Sequence, residues 1–219
     1  HQLLKVHEEG KKLYLVLASD KGLAGAYASN VFKETLTHVE DKENTELIVV
    51  GRKTRDYFKN RQYHIAGDYI GISERPHYSH ARKIADDLIH RFTTGECSEI
   101  HMVYSRFVSA ISCVPETVQL LPFTSLGEEK SGPTAEYIYE PSAAEVLGFL
   151  LPQYLVTTIY AALLQASASE LSSRMTAMSN ATDNAQELLQ KLDLHYNKVR
   201  QAGITREITE IVGGAEALK

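Results

Sequence analysis

The chain has 219 residues, 43% of them apolar and 23% charged, and carries a net charge of −5 at pH 7. That mix suits one domain of about 150 residues plus an extension, and the acidic balance argues against a general nucleic-acid binder. Cys97 and Cys113 fall in no CxxC or zinc spacing, which points to structural thiols in a reducing compartment. No consecutive apolar run approaches the roughly 18 residues of a membrane span, and the sequence opens with neither a secretory signal nor a basic, Ser-rich transit segment.

Residues 12–18 (KLYLVLA) form an apolar run rich in strand formers, punctuated by Ser19, Asp20 and Gly22. A helix is expected over 26–41, with Ala28, Val31, Phe32, Thr35, Leu36 and Val39 at three-four spacing. Leu47 to Val50 make a second buried strand, ended by Gly51. A short helix over 52–60 and a third strand over 62–66 follow. After Pro76, residues 77–94 read as a helix carrying Ile84, Leu88, Ile89 and Phe92, stopped by Gly95. Two more strands are expected at 98–105 and 115–122. Strands and helices alternating at short intervals predict an α/β, Rossmann-like domain with a mainly parallel sheet. Segment 124–136 is a polar linker bearing Gly and Pro. The expected organisation is a globular unit over 1–141 and a helical segment over 142–219. A short strand (137–140) at the end of the globular unit and a short helix (142–150) lead into one long helix.

The long helix is the feature that decides function. From Pro152 to about Leu218 there is no further proline, and glycine is nearly absent until Gly203. Pro152 suits a first helical turn. A helix of that length spans roughly 100 Å at 1.5 Å per residue, which suits a shaft or scaffold better than a catalytic domain. Leu171, Met175, Met178, Thr182, Ala185, Leu189, Leu192, Tyr196 and Val199 step by four and three in alternation, a heptad seam. Past Gly203 the phase slips by one, and Ile204, Ile208, Ile211, Ala215 and Leu218 continue it. Such a seam buries only against another helix. No second long helix lies in these residues, so a segment outside them or a partner is expected to supply it.

Candidate chemistry is sparse. SDKGLAGAY (19–27) lies between strand and helix, where glycines could cradle a phosphate at a helix N-terminus. The pattern is GxxG with no GKS or GKT after it, so a tight turn is the better reading. His77 and His80, near Asp86 and Asp87, lack a second ligand pair for a metal. No GxSxG or cysteine–histidine signature suggests covalent catalysis, and Glu128–Glu129 read as solvated surface. The helix carries seven acidic against six basic residues, mostly a solvated face. Arg200–Gln201 and Thr205–Glu207, polar groups beside the apolar seam, suit contacts with partners.

Several stretches together resemble the gamma subunit of the rotary F-type ATP synthase, the central-stalk shaft. The likeness is close along 168–217, most of all in SRMTAMSNATDNA and YNKVRQAGITREITEIVGGA. SDKGLAG is similar to that family's SDRGLCG turn, and EYIYEP (136–141) to its foot segment. The resemblance covers nearly all of 10–219 and looks bacterial. It departs in three ways. The family begins with a long helix that winds antiparallel against the C-terminal one, and these residues hold no such helix. The family's cysteine in the turn is Ala24 here. Cys97 and Cys113 do not match the chloroplast regulatory dithiol.

The resemblance implies a non-catalytic rotor shaft, with no cofactor, no metal and no catalytic residue of its own. It would pass torque between a proton- or sodium-driven c ring and the catalytic hexamer of alpha and beta subunits. It places Arg174, Arg200, Gln201, Thr205, Glu207 and Val212 at contacts with the alpha/beta ring. Tyr137, Tyr139 and Glu140 would lie at the foot, near epsilon and the c ring. The implied location is peripheral, on the cytoplasmic face of a bacterial cell membrane. Two other readings stay open: a nucleotide-binding α/β enzyme with a coiled-coil extension, and a static coiled-coil scaffold.

Overall fold

The computed structural model describes residues 2–7, 10–39, 41–123, 139–140 and 142–218. After a short 3-10 turn at Gln2–Leu4, the elements run β1 (Lys11–Leu17), α1 (Tyr27–His38), β2 (Thr45–Val50), α2 (Arg52–Asn60), β3 (Ile65–Tyr69), α3 (Tyr78–Thr93), β4 (Cys97–Phe107), β5 (Cys113–Leu121) and α4 (Ala143–Ala217). The five strands form one sheet in the order β3-β2-β1-β4-β5. β1 pairs in parallel with β2 and β4, and β2 with β3. β5 closes the edge antiparallel to β4. The mainly parallel α/β sheet is therefore present, with one reversed edge strand.

Burial on both faces explains the composition of the central strands. Leu13, Leu15 and Leu17 face one layer, and Tyr14 and Val16 the other, and all are buried. A strand covered on both sides is apolar throughout and does not alternate. The first layer holds α3 and the opening of α4, through Ile84, Leu88, Phe92, Leu155, Ile159 and Leu163. The second holds α1 and α2, through Tyr27, Val31, Phe32 and Phe58. Each such aliphatic side chain contributes about 1.5–3 kcal/mol on burial.

Several boundaries depart from expectation. The third strand sits at Ile65–Tyr69, not at 62–66. Gln62 takes φ 60, and Tyr63 packs its ring edge-on against Phe58 at 5.4 Å, so the chain is still turning there. Pairing with β2 (Ile48 with Gly67, Val49 with Asp68) then draws two poor strand formers into the sheet, as context overrides propensity. The expected strand at 137–140 is not formed by Tyr139 or Glu140, which are exposed. Its first two residues and the linker 124–136 lie outside the described residues.

The break expected before Pro152 does not occur. The helix starts at Ala143 and runs through Pro152, with Ser142 Oγ accepting from Glu145 N–H at 3.2 Å as its cap. A proline there forfeits one helical hydrogen bond. Burial of Leu151, Leu155 and Val156 around it holds the helix continuous. An 18-residue window of α4 also reaches a mean hydropathy of 1.6, enough by length and composition to cross a membrane, with 33% of it buried inside the protein. A core-facing helix and a membrane helix share this signature, which the search for an unbroken apolar run overlooks. Contacts group the chain into His1–Thr176 and Ala177–Lys219, so the opening of α4 belongs to the same compact unit as the sheet.

Candidate functional sites: an ionic joint and an exposed helical face

Two arrangements stand out, one in each unit. The first starts at the SDKGLAG turn. Asp20 follows β1, and its carboxylate accepts three backbone N–H bonds: from Arg52 at 2.9 Å, Gly71 at 2.9 Å and Ser73 at 3.1 Å. Its own N–H donates to Ser73 Oγ at 3.1 Å. Burial alone would raise Asp20, but these donors outweigh it and hold the carboxyl below its usual range. Gly51 completes the turn at φ 100, so close to the Ser19 carbonyl that a Cβ would stand 2.5 Å from its oxygen. Only glycine fits there.

The first amide of α2 is taken by the protein's own carboxylate, and at the start of α1 the Tyr27 N–H donates back to the Ala24 carbonyl at 3.2 Å. Beside the turn lies an open groove of about 450 Å³, lined in part by Lys21, Gly22, Leu23, Phe32, Lys53 and Tyr57. Arg61 lies 3.7 Å over the Tyr57 ring. His77 and His80, the other candidates for chemistry, start α3, where His77 N–H donates to His80 Nδ1 at 3.1 Å. Asp87 is engaged by Arg91 at 3.0 Å.

From Ser73 the network continues to α4. Glu74 Oε2 receives Lys21 Nζ at 2.8 Å, and Glu74 Oε1 stands 3.3 Å from Arg174 Nη1. The Lys21 bond, aided by both cations, keeps Glu74 below the usual carboxylate range. Arg174 Nη2 donates to Glu170 Oε1 at 2.6 Å. Glu170 is 0% exposed; burial pushes its carboxyl up, and Arg174 opposes that push. Ser167 Oγ donates to the Glu74 carbonyl at 3.0 Å, and Ser169 Oγ to the Ser105 carbonyl at 3.0 Å. Tyr27 is also buried here, and burial with the nearby Glu170 charge raises its hydroxyl, which therefore stays neutral.

The second arrangement is the rest of α4. Every residue from Met178 to Leu218 is exposed. The exposed side chains include Leu189, Leu192, Tyr196, Val199, Ile204, Ile208 and Ile211, all on the heptad seam. At about 100° per residue, Gln201, Thr205 and Val212 share one face. Arg200 and Glu207 share another, and the isoleucines run between the two. Arg174 keeps different company: the structure places it in the compact unit with Glu170 and Glu74, its side chain 19% exposed. Tyr139 and Glu140 are exposed just ahead of α4, and Tyr137 lies outside the described residues.

Sequence reasoning missed Asp20, Ser73, Glu74 and Glu170 as a set. One signal was available. Glu170 stands four residues before Arg174, the spacing of a helical ion pair, and it continues the buried stripe of Ile159, Leu163 and Ala166.

Comparison with known proteins agrees with this architecture. The family model described as ATP synthase matches residues 1–218. The ATP synthase gamma chain of Desulforamulus reducens is 45% identical over 219 residues, all of this chain and 77% of that one. A sodium-ion-specific ATP synthase gamma chain from Acetobacterium woodii is 42% identical, over 96% of this chain and 76% of its own length. Among solved structures, a chain of the Euglena gracilis mitochondrial ATP synthase, in an assembly described as OSCP/F1/c-ring, superposes with a TM-score of 0.72 at 20% identity, covering 99% of this chain and 78% of that one. A chain of the Tetrahymena thermophila enzyme, described as central stalk and c ring, gives 0.65 at 24% identity over 81% and 79% of the two chains. With a family model spanning nearly every residue, and relatives 42–45% identical of whose length this chain covers over three quarters, this chain belongs to the ATP synthase gamma chain family.

Proposed function

We propose that the exposed half of α4 pairs with a second helix and stands inside the ring of alpha and beta subunits, turning there as the shaft of the motor. As a gamma-family chain it is a non-catalytic subunit of a membrane-bound ATP synthase, in which the beta subunits do the chemistry. It passes torque between the c ring, driven by protons or sodium ions, and the catalytic hexamer. Coupling of this kind requires that the shaft favour different beta conformations at different angles. Arg200 and Glu207 on one face, and Gln201, Thr205 and Val212 on another, are the groups we assign to the alpha/beta ring. An asymmetric pair of faces offers different contacts as it turns. Arg174 belongs to the same set by resemblance, and would reach a partner only through its exposed edge. Tyr137, Tyr139 and Glu140 we assign to the epsilon and c-ring side. We assign the chain to the cytoplasmic face of a bacterial membrane, a reading supported by its likeness to bacterial gamma chains.

The observation that carries this reading is the solvent-exposed seam from Met178 to Leu218. A lone helix with that much exposed apolar surface is an unfinished interface. The test is reconstitution with alpha, beta and epsilon subunits and the c ring, with Arg200 and Gln201 both replaced by Ala. Coupled ATP turnover should drop while the complex still assembles. Full turnover with full coupling would remove that pair from the contact, and failure of the unaltered chain to assemble would overturn the reading as a whole.

A further inference from the structure

Torque on a helix has to be resisted by whatever holds the helix to its base. Apolar packing is non-directional, so Leu155, Ile159 and Leu163 fix the depth of α4 against the sheet better than its angle. Hydrogen bonds are directional, and those of Ser167 and Ser169 to the Glu74 and Ser105 carbonyls, with the 3.3 Å ion pair of Arg174 and Glu74 beside them, do restrain angle. They cluster at the end of the buried stretch, since no residue of α4 beyond Glu170 is buried.

We propose that Glu74 is the positioning residue of a torque-bearing joint formed with Arg174 and Glu170, and locked to the sheet through Ser73 and Asp20. This rests on the shaft reading above and goes beyond it, because it assigns Arg174 an internal task in transmission. The loop after β3 grips α4 twice, through Glu74 with Arg174 and through the Glu74 carbonyl with Ser167. Ser169, bonded to the Ser105 carbonyl at the end of β4, grips from a second place. Two grips at separate points fix rotation about the helix axis, where one would act as a hinge. The loop itself cannot yield easily. Asp20 binds the Gly71 and Ser73 amides together with the first amide of α2, so load reaching Glu74 passes to β1 and to the opposite layer of the sheet. Glu170 is the telling member. Burying an ion pair is costly, and apolar residues in place of both partners are often neutral or stabilising, so the buried Glu170–Arg174 pair is better explained by the alignment it gives than by stability.

The test uses the complete complex in vesicles and measures ions moved per ATP hydrolysed, beside ATP turnover and melting temperature. Glu74→Ala should leave ATP turnover within about twofold of the unaltered complex while ions moved per ATP fall by about fivefold, the scale of one partly buried ion pair. Glu74→Asp, which keeps the charge, should restore most of the ratio, and Glu74→Gln should not. A purely structural role would lower the melting temperature in all three variants and leave the ratio alone. An unchanged ratio in both Glu74→Ala and Glu74→Gln overturns the joint. The shaft reading is judged separately, by whether the unaltered complex couples at all.

Discussion

The two halves of α4 are chemically alike and structurally opposite. Leu151, Leu155, Ile159 and Leu163 are at most 3% exposed, whereas Leu189, Leu192, Val199 and Ile208 are 54–60% exposed. Both halves carry an apolar stripe at helical spacing. The first meets a sheet supplied by its own chain, and the second is covered by none of the described residues. Hydrophobic patterning thus says that a face will be covered without saying by what. On the reading proposed above, the covered half is an anchor and the uncovered half is the working surface.

Charging each stripe in turn puts that contrast under strain. Leu155→Asp buries a carboxylate against the sheet and should cost about 4 kcal/mol or more, enough to abolish the cooperative melt of the purified chain. Leu189→Asp should leave that melt within about 0.5 kcal/mol, because the side chain is already in water. It should nevertheless cut the yield of assembled complex roughly a hundredfold, as expected for a charge in a helix–helix seam. A melt unchanged in Leu155→Asp, or full assembly in Leu189→Asp, would erase the distinction between the halves.

Asp20→Asn sharpens the anchor side. Removing the charged acceptor of three amides should cost about 1–3 kcal/mol at pH 7. The pH dependence follows from sign. Asp20 and Glu74 are held below their ordinary values, so the stability they provide is complete above that range and is lost as pH falls through their folded values. Glu170 is shifted the other way, so its cost grows as pH rises through its unfolded value toward its raised folded one. Acid melts of the unaltered chain should show a net fall in stability toward low pH, and Asp20→Asn should flatten it. The smallest effect is expected on the working side. The Arg200→Ala and Gln201→Ala pair should slow coupled turnover by about tenfold, the loss of roughly 1–2 kcal/mol of contact energy, with no change in the melt of the chain alone.

Most of the fold could be read from the residues, for identifiable reasons. β1 and β2 are unbroken apolar runs, α2 was placed at 52–60, and the seam of α4 repeats too often to be chance. Pro152 misled, because a rule about local hydrogen bonding gave way to burial on both sides of it. β3 misled because Gly67 and Asp68 owe their strand conformation to β2. Arg200, Gln201, Thr205 and Glu207 stood out in the sequence as polar groups beside the seam, and their proposed alpha/beta contacts come from resemblance. Nothing in Arg200 or Thr205 alone separates a solvated face from a binding face. The ionic joint was illegible because its members stand at 20, 73–74 and 170–174, and only the folded sheet brings them together.

Central to the account is that this chain turns while the alpha/beta ring holds still. The direct measurement uses the assembled complex fixed to a surface by its alpha/beta ring. A reporter bead is attached through Ile111→Cys, which sits in the β4–β5 turn at 93% exposure. With ATP supplied, the account predicts rotation of the bead in one direction, stopping when ATP is exhausted. ATP hydrolysed at full rate with the bead stationary would contradict it.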